Sequence, residues 1–371
     1  MNRVLTSFYP FQLAIIACLL LVLSIKPTPA AVLAEDRTDL LYHYYDGGNI
    51  TIDGPALLVR KGFGDFSANA HYYEDNISSA SIDVESYASP YTEFRAEFGA
   101  GLDYLYRDTI LNVTYTNSAE TDYNSDTVSL SMSHEMFYGL TTLNMGFARG
   151  ADKVGKSTDA TFEDVIDRVR YHFGVSQVIT KKLLLTVDLE SISAVGFLNN
   201  PYRAVRILDA FSLPERYPRT RSGIALATRA MYYLGDDTTT MLGYRYYTDN
   251  WGIDSHTLET RYNHYYTPKL LAEYNIRYYL QTQASFYSDR FEQPQTFMAH
   301  DKEMSNFSSY SAGYKISYEL FKSSSSFFKR AELSFMYNYF QYNYKNFTNY
   351  LTGNLYSYDA NVITVFYSTL Y

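Results

Sequence analysis

Polar and apolar positions alternate along most of this chain. From Leu270 onward, Leu270, Ala272, Tyr274, Ile276, Tyr278 and Leu280 share one face, while Glu273, Asn275, Arg277, Gln281 and Gln283 share the other, with Tyr279 as the exception. The preceding segments repeat the pattern. Leu258, Thr260, Tyr262, His264 and Tyr266 oppose Thr257, Glu259, Arg261 and Asn263, and Leu242, Tyr244 and Tyr246 oppose Gly243, Arg245 and Asp249. Nearer the start, Phe94, Ala96, Phe98, Ala100, Leu102 and Tyr104 oppose Glu93, Arg95, Glu97 and Asp103; later, Leu183, Leu185, Val187 and Leu189 oppose Thr186, Asp188 and Glu190. A period of two marks a strand with one apolar and one polar face. These stretches run to about 9–12 residues, against five or six for a mean soluble strand, and a tilted strand needs that length to cross a bilayer.

The pattern predicts about 16 strands, near 37–46, 50–61, 65–74, 92–105, 108–117, 126–137, 140–149, 167–180, 182–194, 220–234, 238–248, 251–266, 269–286, 308–320, 328–342 and 358–371. Even-numbered connections are all short, among them Tyr106-Arg107, Thr180-Lys181 and Thr267-Pro268. The long ones, 75–91, 150–166, 195–219, 287–307 and 343–357, are all odd. A membrane barrel with short periplasmic turns and long external loops has this asymmetry. In lipid every backbone polar group must be paired, which forces the sheet to close. The predicted fold is therefore all-β: a porin-like transmembrane antiparallel barrel in the Gram-negative outer membrane, in contact with its lipid. The last strand, 362–371, alternates and ends in an aromatic residue, the form in which outer-membrane barrels present themselves to the barrel-assembly machinery.

Composition agrees. Aromatic residues make up 17% of the chain, with 40 tyrosines and 23 phenylalanines, while charged residues make up 19%. Tyrosine can place its ring in lipid and its hydroxyl in water. A net charge of −9 argues against a nucleic-acid partner.

The N-terminus reads as an address. Arg3 precedes an apolar run over 11–25, and the small-residue sequence Val32-Leu33-Ala34 predicts cleavage before Glu35. Cys18 follows Ile15-Ile16-Ala17 in a loose likeness to a lipoprotein box, but Leu19 to Leu23 continue the apolar core, so cleavage there would leave a greasy terminus. Residues 1–34 are thus the expected signal peptide and 35–371 the barrel. Removing 34 of 371 residues leaves 337, takes the only cysteine, and moves the charge to −11 as Arg3 and Lys26 leave. A chain without cysteine holds no disulfide framework and no thiolate metal site.

Several stretches resemble the family named domain of unknown function 3570: SSASID (78–83), YTEFRAEFGAGLDYL (91–105), TNSAETDYNS (116–125), NNPYRAVRI (199–207), ERYPRTR (215–221), YRYYTDNWGIDSHTLE (244–259) and RYYLQTQASFY (277–287). The cluster from 199 to 287 is the most specific. SSASID departs from the family where a glycine is expected. The resemblance implies a Gram-negative outer-membrane barrel and supplies no catalytic residue, cofactor or substrate.

The sharpest constellation of charge is Arg229, Arg245, Arg261 and Arg277, spaced 16 apart on four consecutive strands and opposite the aromatic face of each. Alternation points all four inward. Folding about Pro268 sets Glu259 across from Arg277 and Asn263 across from Glu273. A basic ladder facing carboxylates sets a transverse field that sorts solutes by charge; a packed salt-bridge lattice filling the lumen is the alternative. The opposite wall brings Glu93, Arg95, Glu97, Asp103, Asp188 and Glu190, mostly acidic. The loop 195–219, with Arg203, Arg206, Arg216 and Arg219 among three prolines, either folds inward as a constriction or stays outside as ordinary charged surface. The loop 287–307 holds Asp289, Arg290, Glu292, His300, Asp301 and Glu303 without ligand spacing for a metal. No HExxH, GxSxG or Gly-rich phosphate loop is present, and Ser255 and His256 point to opposite faces. An enzyme is not expected, nor any cofactor.

These residues imply a porin-like channel for small hydrophilic solutes. The second possibility is a non-conducting barrel that docks an exported protein partner. Many porins of this size are homotrimers, and the sequence offers no readable interface either way.

Overall fold

The computed structural model describes residues 31–79, 91–208, 210–323 and 327–371. Nearly all of the expected signal peptide, and 80–83 of the SSASID stretch, lie outside these residues.

The strands follow in order: β1 (Arg37–Gly47), β2 (Ile50–Phe63), β3 (Phe66–Ser79), β4 (Tyr91–Tyr106), β5 (Thr109–Ala119), β6 (Tyr123–Met136), β7 (Thr141–Val154), β8 (Asp164–Thr180) and β9 (Leu183–Gly196). A short hairpin, β10 (Ala204–Ile207) and β11 (Phe211–Pro214), interrupts the run. Then come β12 (Thr220–Gly235), β13 (Thr238–Asp249), β14 (Asp254–Thr267), β15 (Leu270–Gln281), β16 (Phe307–Lys322), β17 (Arg330–Thr348) and β18 (Leu355–Leu370). Each barrel strand pairs antiparallel with its sequence neighbours, β9 joins β12 across the hairpin, and β1 pairs with β18 from Arg37↔Leu370 to Gly47↔Ala360. The result is a closed antiparallel barrel of 16 strands. Closure leaves the barrel without an open edge. At about 3.3 Å per residue a 14-residue strand spans about 46 Å, enough to cross a bilayer at a steep tilt.

The outer face is apolar, as alternation requires: Leu40, Phe98, Leu102, Leu130, Leu226, Leu242, Leu258 and Ile276 are all exposed. Exposed aromatics crowd the short-turn end, where Phe63 and Phe66 flank one turn, Tyr106, Tyr138 and Tyr266 stand at others, and Phe327 borders Tyr371. Aromatic rings at this level form the girdle of a membrane barrel. Asp236 and Asp237 both have positive φ (49° and 55°), the two-residue turn whose twist matches a tight hairpin.

The observed strands overlap all sixteen predicted segments. Their ends differ where loops meet them. The segment predicted over 269–286 stops at Gln281, because the inward Gln281 side chain donates to the backbone oxygens of Glu303 and Ser305, both at 2.9 Å, and turns the loop into the barrel. The loop expected at 343–357 shrinks to 349–354: β17 runs to Thr348, and Tyr344, Phe347 and Tyr356 bury one another with Phe307. Pro55 lies inside β2, where its missing N–H interrupts the ladder: pairing with β3 skips from Asp53↔Asn76 to Ala56↔Tyr73.

Candidate functional site

Arg229, Arg245, Arg261 and Arg277 line the inner face of β12–β15, and β12 carries a second inward arginine, Arg221, which donates to Asp249 at 2.8 Å. Arg229, Gly243, Glu259 and Arg277 fall on one hydrogen-bonded line across these strands. Arg245 and Arg261 sit two residues from that line on opposite sides, so the ladder zigzags. Carboxylates interleave it. Asp188 accepts from Arg229 at 3.1 Å and contacts the His172 ring at 3.0 Å. Arg229 also lies 3.6 Å from Glu259, Arg245 lies 3.7 Å from Glu190, and Glu190 holds Arg170 at 2.5 Å. Arg261 lies 3.6 Å from Glu273.

Gly243 is what lets Arg229 reach Glu259 across β13, because a Cβ there would stand 2.8 Å from the Glu259 side chain. Arg277 differs from the other three. Glu259 faces it in register but is engaged by Arg229, and among the described residues no carboxylate lies within ion-pair distance of Arg277. Its guanidinium lies 5.9 Å from the centre of the Tyr279 ring.

These pairs are wet. The side chains of Arg229, Arg245 and Arg261 keep 49%, 38% and 45% exposure although they face the inside of a closed barrel. Half-exposed ion pairs hold each other weakly and are screened by salt. Ion pairs thus join three of the four ladder arginines to carboxylates along this wall.

On the other wall Arg95 is the hub. It donates to Ser118 at 3.1 Å and to Glu97 at 3.3 Å, and comes within 3.9 Å of both Asp75 and Glu120. Glu97 also lies 3.5 Å from His71. Glu93 lies apart from Arg95, clustered with Glu120 and Asp122. A hollow of about 370 Å³ opens here, bordered by Arg95, Glu97, Glu120, Tyr123 and Arg168.

A third stretch of wall is aromatic. Tyr279 on β15, and Tyr342 and Tyr358 on β17 and β18, lie on one hydrogen-bonded line with Ser309 between the first two. Tyr342 and Tyr358 stack at 4.6 Å, and the half-buried tyrosines rest on buried Phe307, Tyr344, Phe347 and Tyr356. Tyr279 broke the alternation of its strand and carried the only sequence signal of this band.

The two long loops fold together over the mouth. The β10–β11 hairpin buries Val205 and Ile207 against Phe291 and Met298, and the backbones join at Ile207↔Phe291 and Arg216↔Met298. A second cluster gathers Tyr217, Trp251, Ile253, Phe286 and Tyr287. The four loop arginines do not converge on the lumen. Arg203 pairs with Asp301, Arg206 lies over the Tyr350 ring at 5.4 Å, and Arg219 makes a bidentate pair with Asp164 at 2.8 and 2.7 Å. Arg216 is exposed, and its backbone bridges to Met298 of the second loop.

Glu215 is buried beneath this cap, where it accepts from the His300 N–H and the Tyr217 hydroxyl, both at 2.7 Å. Burial, and then the charge of Asp301, push its carboxyl up to about 7 against the pull of Arg203. The loop that bends inward is 282–306. Its 3₁₀ turn Lys302–Met304 presents an exposed Glu303 whose charge reaches Tyr45, Tyr279, Tyr342 and Tyr358.

Known structures share the architecture. A bacterial polysaccharide outer-membrane secretin superposes with a TM-score of 0.50 at 7% identity, covering 91% of this chain and 99% of its own. The outer-membrane protein OpdK of Pseudomonas aeruginosa gives 0.45 at 12% identity, over 91% of this chain and 99% of its own. The siderophore receptor PirA of the same organism gives 0.46 at 10% identity, over 87% of this chain and 60% of its own. At such identities the likeness concerns the fold, which is that of outer-membrane barrels. No curated protein matches the sequence. The family described as "Protein of unknown function (DUF3570)" matches residues 67–361. Those residues span most of the barrel, and the chain belongs to that family.

Proposed function

We propose that this barrel is an outer-membrane channel for small hydrophilic solutes, with the β8–β15 wall acting as a charge-sensitive lining. One observation carries the reading: ladder arginines inside a closed barrel stay 38–49% exposed while ion-paired, which supports a solvent-filled lumen beside them. A 16-strand barrel is wide enough to enclose an aqueous channel. Its task is then transport rather than chemistry. Alternating arginines and carboxylates impose a field across the path, while Glu303 narrows the mouth from the loop side.

The test is osmotic swelling of liposomes containing the purified mature chain. Swelling in arabinose and glucose but little in a tetrasaccharide supports a size-limited pore. Equal, minimal swelling in all three, from barrels shown to be folded by heat-shifted gel mobility, contradicts it. A second reading, a barrel that docks an exported protein, draws on the density of opposite charge on the inner wall, where Arg229 shares Asp188 and Glu259. Stoichiometric co-purification of an exported protein would favour it.

A further inference from the structure

The charged wall ends at Arg277, and the aromatic wall begins beside it. Arg277 is exposed and has no carboxylate within ion-pair distance among the described residues, unlike Arg229, Arg245 and Arg261. The next strand, β16, turns only small side chains inward at this height, Ser309 and Ser311. Beyond it β17 carries Phe340 opposite Ser311 and Tyr342 opposite Ser309. The inner wall therefore holds a slot one strand wide, with Arg277 and Tyr279 on one side and Phe340 and Tyr342 on the other. Two strand spacings make that slot about 9.6 Å between backbones. A planar ring entering over the β16 serines meets an aromatic side chain on either hand. One inward position nearer the loops, level with Gln281 and Tyr344, the buried Phe307 ring lies 5.5 Å from Tyr279 and 6.4 Å from Tyr342 and closes the slot on that side.

We propose that this slot is a binding station for aryl monocarboxylates: the solute ring enters between Tyr279 and Tyr342, and its carboxylate takes the guanidinium of Arg277, which no carboxylate among the described residues occupies. A planar guanidinium presents paired donors that fit a carboxylate, and aromatic faces favour a flat ring over an alkyl chain. Glu303 is held beside Tyr279, because Gln281 donates to the Glu303 backbone oxygen at 2.9 Å and accepts from the Tyr279 hydroxyl at 2.7 Å. Its charge repels a second carboxylate on the solute, so the station discriminates against dianions. The inference rests on the channel reading for its role in passage, though binding itself does not.

The experiment uses the purified mature barrel in planar bilayers, with benzoate, acetate, benzyl alcohol and phthalate each titrated from the long-loop side against the potassium chloride current. Benzoate is expected to reduce the current at concentrations about tenfold lower than the other three. Arg277→Gln is expected to remove that advantage, and Tyr342→Leu to weaken benzoate while leaving acetate alone. A conducting channel that treats benzoate and acetate alike, or whose benzoate response survives Arg277→Gln, overturns the station and leaves the channel standing. A folded barrel that carries no current sinks the channel instead. The station is then judged by benzoate line broadening in detergent: broadening lost in Arg277→Gln supports it, and no broadening with the unmodified protein overturns it.

Discussion

The inner wall on β8–β15 and the cap over the mouth use the same residue types, arginine, carboxylate and tyrosine, in opposite surroundings. On the wall, Arg229 remains 49% exposed while sharing Asp188 and Glu259. In the cap, Glu215 is 4% exposed, Tyr217 5% and Trp251 2%. Half-exposed pairs on the wall are individually weak and exchangeable, so in the channel proposed above their effect on ions is collective. The Glu215 carboxyl in the cap is dry, so it matters to whether the cap stays folded. The proposed field for solutes and the folded cap thus draw on one chemistry at two degrees of burial.

The largest expected effect strikes the wall. Replacing Arg245, Arg261 and Arg277 together with alanine should raise the potassium-to-chloride permeability ratio several-fold, read as a shifted reversal potential. An unchanged potential in an open channel would remove the ladder from the mechanism.

The cap should respond to pH instead. Glu215 titrates near 7 in the folded cap, against an ordinary 4.5 once the cap opens. The folded state then binds more protons between those values, so the cap is most stable below about 4.5 and loses that contribution as pH rises through 7. The shift corresponds to about 3 kcal/mol as an order of magnitude. Trp251, the only tryptophan in the chain, sits edge-on to Tyr217 at 5.6 Å and reports on the cap. Acrylamide should quench it more at pH 8 than at pH 5, and Glu215→Gln should flatten the difference. The same slope in that variant would assign the pH response elsewhere.

A smaller effect separates the wall from simple packing. Gly243→Val places side-chain atoms where Glu259 now lies. It should cost about 1–3 kcal/mol in the heat-induced gel shift and release Arg229 from Glu259. Full stability in the variant would mean that the close approach is dispensable.

The rim should be the least sensitive. Arg219 pairs with Asp164 through two bonds and holds its carboxyl below the ordinary value, but the Arg219 side chain is 59% exposed. Arg219→Ala should change the gel-shift midpoint by less than about 1 kcal/mol. A larger loss would move this pair from the rim into the cap's own support.

The sequence made the barrel legible because strand alternation is a local signal, repeated in every segment. Inward placement of Arg229, Arg245, Arg261 and Arg277 follows from it, as does the Glu259–Arg277 register. Pairing does not. Glu259 turns to Arg229 only because Gly243 leaves the space, and Arg170 and His172 join the network through β9 with no spacing to announce them. The cap was hidden for another reason. Val205 and Ile207 bracket Arg206 in a stretch too short to stand out, and their burial depends on Phe291 and Met298, far along the chain. Glu303 enters the lumen because Gln281 holds its backbone, a contact between two loop ends that no periodicity encodes.

Single-channel recording of the mature barrel in a planar bilayer under a potassium chloride gradient tests the central claim most directly. The account predicts discrete conductance steps, with a reversal potential that moves towards cation preference when the ladder arginines are removed. A barrel shown to be folded by its heat-shifted mobility, yet silent at every applied voltage, would contradict an open, charge-lined lumen.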